Sequence, residues 1–176
     1  MNRTGKIHIY MGEGKGKTTA AAGLALRCAG QGGHVLVMQF LKPGDSGELA
    51  AFEDVDGIAV LPSPGYYGFT WEMSDRDKED AANMYSQAMD NLVFTAHQGD
   101  FKLIILDEII ATVSAGILTD AQVLEWLEDL PEGPDIVLTG RYPSEKLLAV
   151  GDYITEMRKI KHPYDEGLHA RKGIEY

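Results

Sequence analysis

The sequence predicts a single α/β domain with a mostly parallel sheet and helices on both faces. Short apolar runs alternate along the chain with segments of helical periodicity, which is the order found in strand–helix–strand units. These runs show little polar alternation, as expected for strands that are buried on both sides. A length of 176 residues suits one domain with a full core. Residues 1–176 are therefore predicted to form one domain.

Six segments are predicted strands, each followed by a loop or a helix. The strands are 6–10, 34–40, 58–61, 102–106, 135–139 and 153–157. One helix is predicted after a glycine-rich loop and ends at residue 29, and a second begins at the capping pair Ser74 and Asp77. Two more helices are predicted from Thr119, with Gln122, to 130 and from 144 to 150. The second helix has one predicted apolar face: Ala81, Met84, Ala88, Leu92 and Ala96.

Composition and charge exclude several classes of protein. The net charge of −11 repels phosphate backbones, so we expect no nucleic-acid partner. No apolar stretch is long enough to span a bilayer, so we expect no membrane partner. The first six residues carry no secretory signal, which favours a cytoplasmic protein. The single cysteine, Cys28, excludes a disulfide framework and a multi-cysteine zinc site.

The first predicted strand runs into a candidate phosphate-binding loop. Glycines let the backbone approach phosphates closely, and loop amides together with a helix N-terminus attract anions. Lys17 is expected to place its ammonium on the phosphates, and the Thr18 hydroxyl is expected to bind Mg²⁺. The candidate ATP contacts are Gly12, Glu13, Gly14, Lys15, Gly16, Lys17, Thr18 and Thr19.

This loop is one residue shorter than the usual pattern, which has four residues between its first glycine and the glycine before lysine. Met11 stands at the position of that first glycine, and three residues separate Gly12 from Gly16. The alternative is an ordinary glycine-rich turn. The Gly-Lys-Thr-Thr run between a strand and a helix favours a nucleoside triphosphate site.

Polar residues also follow two later strands, at the edge of the sheet where ligands collect in α/β folds. Asp107 and Glu108 end the strand at 102–106 and are candidate Mg²⁺ ligands. Arg141 follows the strand at 135–139 and is a candidate phosphate ligand. The alternatives are acids at a helix N-terminus and a surface arginine in a turn. Lys17, Glu108 and Arg141 are the candidate catalytic residues.

The loop 62–72 is rich in aromatic residues, which is unusual for a loop. Tyr66, Tyr67, Phe69 and Trp71 lie within six residues of one another. Such side chains pack either on the core of the domain or on a flat apolar ligand. From the residues alone, core packing is the favoured interpretation.

Together, these motifs resemble a known family. They are the loop 12–19, the segment 39–42 with Gly47 and Glu48, and the segments 68–72, 106–108, 139–141, 161–167 and 173–176. In this order, and over essentially the whole chain, they resemble the ATP:corrinoid adenosyltransferases, a P-loop family that acts on cob(I)alamin or cob(I)yrinic acid a,c-diamide. The phosphate loop is shared with many ATPases, whereas the aromatic loop and the tail make the resemblance specific.

The resemblance implies a RecA-like P-loop fold and a reaction at carbon. The reduced cobalt attacks the 5′ carbon of ATP and releases inorganic triphosphate, with ATP bound in the reverse of the usual P-loop orientation. Lys17 and the loop amides then hold the triphosphate, Thr18 and Glu108 bind Mg²⁺, and Asp107 supports that metal. Phe69 and Trp71 are implied to cover the lower face of the corrin and to displace its axial base. A reduced flavoprotein electron donor and a homodimer are the family expectations.

Two other functions compete with this one. A conventional P-loop kinase or ATPase would cleave at the γ-phosphate, with Arg141 as an arginine finger. A non-catalytic, nucleotide-switched binding module would use residues 66–71 as a protein-docking patch. The products of ATP consumption distinguish the three: triphosphate, ADP with phosphate, or none.

Overall fold

The computed structural model describes residues 3–65, 68, 70 and 72–175 and shows a six-stranded parallel sheet. The strands are β1 Ile7–Met11, β2 His34–Gln39, β3 Ile58–Val60, β4 Phe101–Asp107, β5 Asp135–Gly140 and β6 Tyr153–Glu156. Their order across the sheet is β3-β2-β4-β5-β1-β6, and every pairing is parallel. All six carboxyl ends therefore lie along one edge. The predicted strands and their mostly parallel arrangement are confirmed.

Helices cover both faces of this sheet. They are α1 Lys17–Ala29, α2 Gly47–Glu53, α3 Asp75–Gln98, α4 Ile109–Ser114, α5 Asp120–Asp129 and α6 Glu145–Leu148. A short 3₁₀ helix, Pro163–Glu166, lies in the tail. Within the described residues, no helix is both long enough and apolar enough to cross a bilayer.

Two apolar cores lie on opposite faces because successive side chains of a strand point to opposite sides. Val35 and Val37 pack with α1 and α2 on one face. Leu36 and Met38 pack with α3, α4 and α5 on the other. Burial on both faces explains why these strands are continuously apolar, and it confirms the predicted fold class.

The two predicted capping pairs are present and define where two helices begin. The Ser74 hydroxyl accepts from the Asp77 amide, and the Asp77 side chain accepts from the Ser74 amide, at the start of α3. Thr119 and Gln122 form the same reciprocal pair at the start of α5. Each pair satisfies amides that the first helical turn leaves without a partner.

Two short helices were not predicted. Between the predicted strands 34–40 and 58–61 lies α2, whose Leu49 and Phe52 are buried three residues apart. Seven residues are too few for a clear helical period. The six-residue α4 begins at Ile109, after the predicted strand 102–106 and the acidic pair Asp107 and Glu108, and it is also too short for a clear helical period. Helical type in such short runs is decided by tertiary packing.

The buried face of α3 also differs in part from the predicted one. Ala81, Leu92 and Ala96 are buried as predicted, but Tyr85 and Met89 replace Met84 and Ala88, which are half-buried. The Tyr85 ring packs edge-on against Phe40, with ring centroids 5.4 Å apart. In the middle of α3, the buried positions are therefore one residue later in the chain than predicted.

Candidate active site

The phosphate loop lies between β1 and α1 and packs against the chain that leaves β6. The Gly14 amide donates to the Met157 carbonyl oxygen at 2.6 Å. A Cβ atom on Gly12 would lie 2.6 Å from that oxygen, and one on Gly14 would lie 2.5 Å from it. Gly12 and Gly16 have φ of 110° and 112°, which side chains disfavour. The glycines thus allow both the close approach and the turn.

The Lys17 ammonium lies inside this loop. It donates to the carbonyl oxygens of Gly12 at 2.8 Å and Gly14 at 2.9 Å, and the residue is only 6% exposed. Burial is the main cause that lowers the pKa of Lys17, and the nearby Glu108 charge opposes it. An ammonium has three N–H donors, so one remains for a ligand at the mouth of the loop.

A buried carboxylate, Asp107, joins four segments of the chain beside this loop. Asp107 is 1% exposed. Its Oδ1 accepts from Thr18 Oγ1 at 2.9 Å and from Thr139 Oγ1 at 2.7 Å. Its Oδ2 accepts from Gln39 Nε2 at 3.2 Å and from Lys42 Nζ at 2.7 Å. Such hydrogen bonds are needed to keep a charged carboxylate in the interior.

Strand geometry explains why these partners meet. Gln39 is opposite Asp107 in the β2–β4 register, and Thr139 lies near the end of the adjacent β5. All three positions continue the set of side chains that faces α1, where Val37 and Ile105 are packed. Thr18, in the first turn of α1, therefore lies above the same spot. The sheet places a hydroxyl, a carboxylate and an amide around one point.

Lys42 supplies a positive charge at this point. Its ammonium lies 3.2 Å from Thr18 Oγ1 and 3.7 Å from Glu48 Oε1, in addition to its contact with Asp107. Burial on its own lowers the pKa of Lys42, but the charge and hydrogen bond of Asp107, together with Glu48, outweigh it, so the net shift is upward. A cation is thus accommodated beside the Thr18 hydroxyl and the Asp107 carboxylate.

Glu108 directly follows Asp107 and begins α4 with a φ of 63°. Its amide donates to Thr139 Oγ1 at 2.8 Å. Burial is the main cause that raises the pKa of its carboxyl, and the Asp107 charge adds to it, while Lys42 and Lys17 act against it. Glu108 thus places a second carboxyl beside the cation position.

Backbone strain is concentrated at this edge of the sheet. Within the described chain, the non-glycine residues with positive φ are Leu41, Glu108 and Tyr142. They follow the ends of β2, β4 and β5, which are neighbouring strands. Strained conformations of this kind are typical of functional sites, because the surrounding structure must hold them in place.

Arg141 and Tyr142 lie at the exposed rim of the site. The Tyr142 hydroxyl donates to Glu13 Oε1, which links the end of β5 to the phosphate loop. That hydrogen bond is the main cause that raises the pKa of Tyr142. Arg141 lowers the pKa of Lys17 and of Glu108, so its charge acts on both. Arg141 has no hydrogen bond or ion pair with any residue in the described part of the chain.

A cavity of about 760 Å³ opens beside α1, a size in the range of small-molecule sites. Thr18, Thr19 and Ala22 form one side, and residues 42–43 and 45–48 form another. Residues 173–175 of the tail complete the wall. Glu175 lies 3.7 Å from Lys15 of the phosphate loop, and its pKa is lowered to about 2 by hydrogen bonds from Arg171. The tail therefore borders the nucleotide region.

The donors at this edge of the sheet are of the kinds that Mg²⁺ uses in nucleotide sites. The described residues hold no cluster of three or more His, Cys, Asp or Glu side chains suited to a metal. Thr18, Asp107 and Glu108 provide a hydroxyl and two carboxyls, and Mg²⁺ usually combines one or two carboxylates with substrate phosphates and water. Gln39 Oε1 is buried without a hydrogen-bond partner in the described chain, so it can accept from a metal-bound water. These residues fit Mg²⁺ that arrives with a triphosphate.

The structure brings most of the predicted site residues together. The loop 12–19, Asp107, Glu108 and Arg141 lie at one edge of the sheet, as expected. Phe69 and Trp71 lie outside the described residues, as do Tyr66 and Tyr67. The start of their loop is tied to the site, because Ser63 Oγ donates to the Lys42 carbonyl at 2.7 Å.

Sequence reasoning assigned no role to several residues that build the site. They are Gln39, Lys42, Thr139, Tyr142 and Met157. Two of them, Gln39 and Thr139, are the polar ends of otherwise apolar strands. Alternate residues of a strand face the same side of the sheet. Counting back along the strands from Asp107, Gln39 and Thr139 would therefore have placed all three side chains on the side that faces α1. Met157 acts through its backbone, so its side chain gave no signal.

We expect Gly14→Ala to weaken ATP binding at least ten-fold, which is about 1.4 kcal/mol. The added Cβ would lie 2.5 Å from the Met157 carbonyl oxygen, so the loop must shift from the position in which the Gly14 carbonyl holds Lys17. Isothermal titration calorimetry with ATP and Mg²⁺ measures this change.

The matched control is Gly23→Ala, an identical change at an exposed position of α1 with nothing within 4 Å of the added atom. It should bind ATP as wild type does and gain up to about 1 kcal/mol in unfolding free energy. Wild-type affinity in the Gly14 variant would contradict the proposed role of the loop.

Comparison with known proteins agrees with this geometry. Residues 3–176 match the family model of the ATP:corrinoid adenosyltransferases BtuR/CobO/CobP. The chain is 32% identical to the corrinoid adenosyltransferase of Escherichia coli strain K12, covering 98% of this chain and 86% of that protein. It is 34% identical to the enzyme of a Sinorhizobium species, covering 98% and 80%. It is 33% identical to corrinoid adenosyltransferase CobA of Salmonella typhimurium, covering 98% and 86%.

The family match spans nearly the whole chain. It includes the phosphate loop, the tail, and Asp107 with its partners Thr18, Gln39, Lys42 and Thr139, here called the Asp107 cluster. The chain therefore belongs to the family of ATP:corrinoid adenosyltransferases, transferases that use ATP to adenosylate corrinoids.

Proposed function

We propose that this protein transfers the 5′-deoxyadenosyl group of ATP to the cobalt(I) of a corrinoid and releases inorganic triphosphate. The observation that carries the proposal is the buried Lys17 ammonium inside the glycine loop, next to the Asp107 cluster. This arrangement suits a polyphosphate with a bound cation. Family membership supplies the second substrate.

The reaction needs no acid or base from the protein. The electron pair of cobalt(I) forms a bond to the 5′ carbon while the bond from that carbon to oxygen breaks. Triphosphate leaves with the electron pair of the broken bond. The chain therefore has to align the reactants and stabilise the charge that develops on the leaving group.

The leaving triphosphate is held by fixed positive groups. Lys17 is already positioned by two carbonyl oxygens, so it loses little freedom when phosphate arrives. The helix N-terminus of α1 adds a partial positive charge. Arg141, unpaired within the described chain, is available to a phosphate oxygen from the rim. We assign ATP contacts to residues 12–19 and catalytic roles to Lys17, Glu108 and Arg141.

Thr18, Asp107 and Glu108 are the residues that would hold Mg²⁺. When bound, it neutralises part of the triphosphate charge and so makes the triphosphate a better leaving group. The raised pKa of the Glu108 carboxyl reflects its burial near Asp107. A divalent cation at this position would favour the charged form of Glu108.

Phe69 and Trp71 are assigned to the corrinoid on the basis of the family resemblance. Their loop begins beside Lys42, to which Ser63 is hydrogen-bonded. Aromatic side chains on the lower face of the corrin would displace its axial base and exclude water. Cobalt(II) without an axial donor is easier to reduce. We further propose a reduced flavoprotein as electron donor, a homodimeric assembly and a cytoplasmic location.

One observation favours a second function, a conventional ATPase or kinase. Glu108 combines a raised pKa with a position near Arg141, which resembles a general base beside an arginine finger. That reaction would cleave at the γ-phosphate. The two reactions differ in their products.

We expect ATP, Mg²⁺ and chemically reduced cobalamin to give adenosylcobalamin and triphosphate in equal amounts. Absorbance spectroscopy detects the cobalt–carbon product, and anion-exchange chromatography separates triphosphate from ADP and phosphate. Lys17→Ala serves as the inactive control, because it removes the ammonium from the loop. ADP formation without a corrinoid product would instead support the kinase or ATPase.

We expect Phe69→Ala and Trp71→Ala to slow the reduction of cobalt(II) at least ten-fold, which corresponds to about 1.4 kcal/mol of activation free energy. The ATP affinity of both variants should stay within about two-fold of wild type, because these side chains are assigned to the corrinoid. Enzymatic reduction with a flavoprotein donor is compared with chemically prepared cobalt(I), which bypasses the reduction. Phe94→Ala, at an exposed position of α3, is the aromatic control. Wild-type reduction rates in both loop variants would contradict the assignment of Phe69 and Trp71 to the lower face of the corrin.

A further inference from the structure

The Lys42 ammonium occupies the position that the proposed function assigns to a metal. It lies 2.7 Å from Asp107 Oδ2 and 3.2 Å from Thr18 Oγ1. The Lys42 side chain is 23% exposed, and the Asp107 side chain is 2% exposed. Among the described residues, the Lys42 ammonium is the cation that forms a salt bridge with Asp107.

Lys42 and a divalent cation cannot share this position. Mg²⁺ held by Thr18 Oγ1 at the usual distance of about 2.1 Å would be at most about 5 Å from the ammonium, which is itself 3.2 Å from that oxygen. Two like charges at that separation repel each other strongly in a partly buried site. In addition, the carboxylate oxygen that would face the metal already accepts from Gln39 and Lys42. One cation must leave before the other binds.

We propose that Lys42 is a built-in placeholder for the metal. In the nucleotide-free protein its ammonium neutralises Asp107 and blocks divalent cations from Thr18 and Asp107. ATP carrying Mg²⁺ displaces the ammonium, so the metal enters with the nucleotide rather than before it. This inference rests on the metal position given by the proposed function.

The structure allows the displacement to involve the side chain alone. The Lys42 backbone is held because its carbonyl oxygen accepts from Ser63 Oγ at 2.7 Å. Glu48 Oε1, 3.7 Å from the ammonium, offers a second partner on the cavity side. Glu48 is itself held by Gln39 Nε2 at 2.7 Å. A long flexible side chain can thus exchange one carboxylate for another while the loop stays in place.

The probe for this proposal is Mn²⁺, added to the nucleotide-free protein. Free Mn²⁺ is measured by electron paramagnetic resonance, which reports binding without any catalytic turnover. We expect Lys42→Met to bind Mn²⁺ at least ten-fold more tightly than wild type, because the carboxylate becomes accessible. Lys42→Gln keeps a neutral hydrogen-bond donor for Asp107 and should also bind Mn²⁺ more tightly than wild type. It replaces Lys42→Met in this test if the Met variant does not fold.

Two controls separate a local effect from a general one. Lys146→Met removes the same charge from an exposed position of α6 and should leave Mn²⁺ binding unchanged. Adding Asp107→Asn to Lys42→Met should abolish the gain. The placeholder role of Lys42 would be contradicted if Lys146→Met increased the Mn²⁺ affinity as much as the Lys42 variants do, or if neither Lys42 variant increased it.

An ATP titration of the wild type keeps this test distinct from that of the proposed function. If wild type binds ATP with Mg²⁺ and the Lys42 variants do not gain Mn²⁺ affinity, only the placeholder fails. If wild type does not bind ATP, the nucleotide site fails with it.

Discussion

Two buried, opposite charges at the carboxyl edge of the sheet determine the rest of this site. Lys17 is 6% exposed and Asp107 is 1% exposed, so each needs fixed partners in place of water. Carbonyl oxygens of the glycine loop hold the first, and side chains from α1, β2 and β5 hold the second. Removing a partner would leave a charge uncompensated in the interior. The loop and the strand ends are therefore constrained together.

The sheet order makes this arrangement possible. β4 lies between β2 and β5, so the side chains that follow or end these three strands converge around Asp107. β1 lies between β5 and β6, and this places the glycine loop against Met157. The same edge carries the strained residues Leu41 and Glu108. Rigid strands thus position groups that a loop alone would hold less well.

Features that depend on neighbouring residues could be predicted from the sequence. The strands, the two capping pairs and the glycine loop each have a local pattern, and the structure confirms them. Features that depend on distant contacts were only partly predicted. Thr18 and Asp107, 89 positions apart, were brought together only by their shared assignment to Mg²⁺. Lys42 meets Asp107 across 65 positions, and no local signal predicted that contact. The short helices α2 and α4 also form through tertiary packing rather than through periodicity.

The central claim is that the glycine loop and the Asp107 cluster hold ATP together with Mg²⁺. Calorimetric titration of the purified wild-type protein with ATP, first with Mg²⁺ and then with a chelator, tests it most directly. The account predicts saturable binding of one ATP per chain and at least a ten-fold loss of affinity when the metal is removed. Absence of binding in the presence of Mg²⁺ would contradict it.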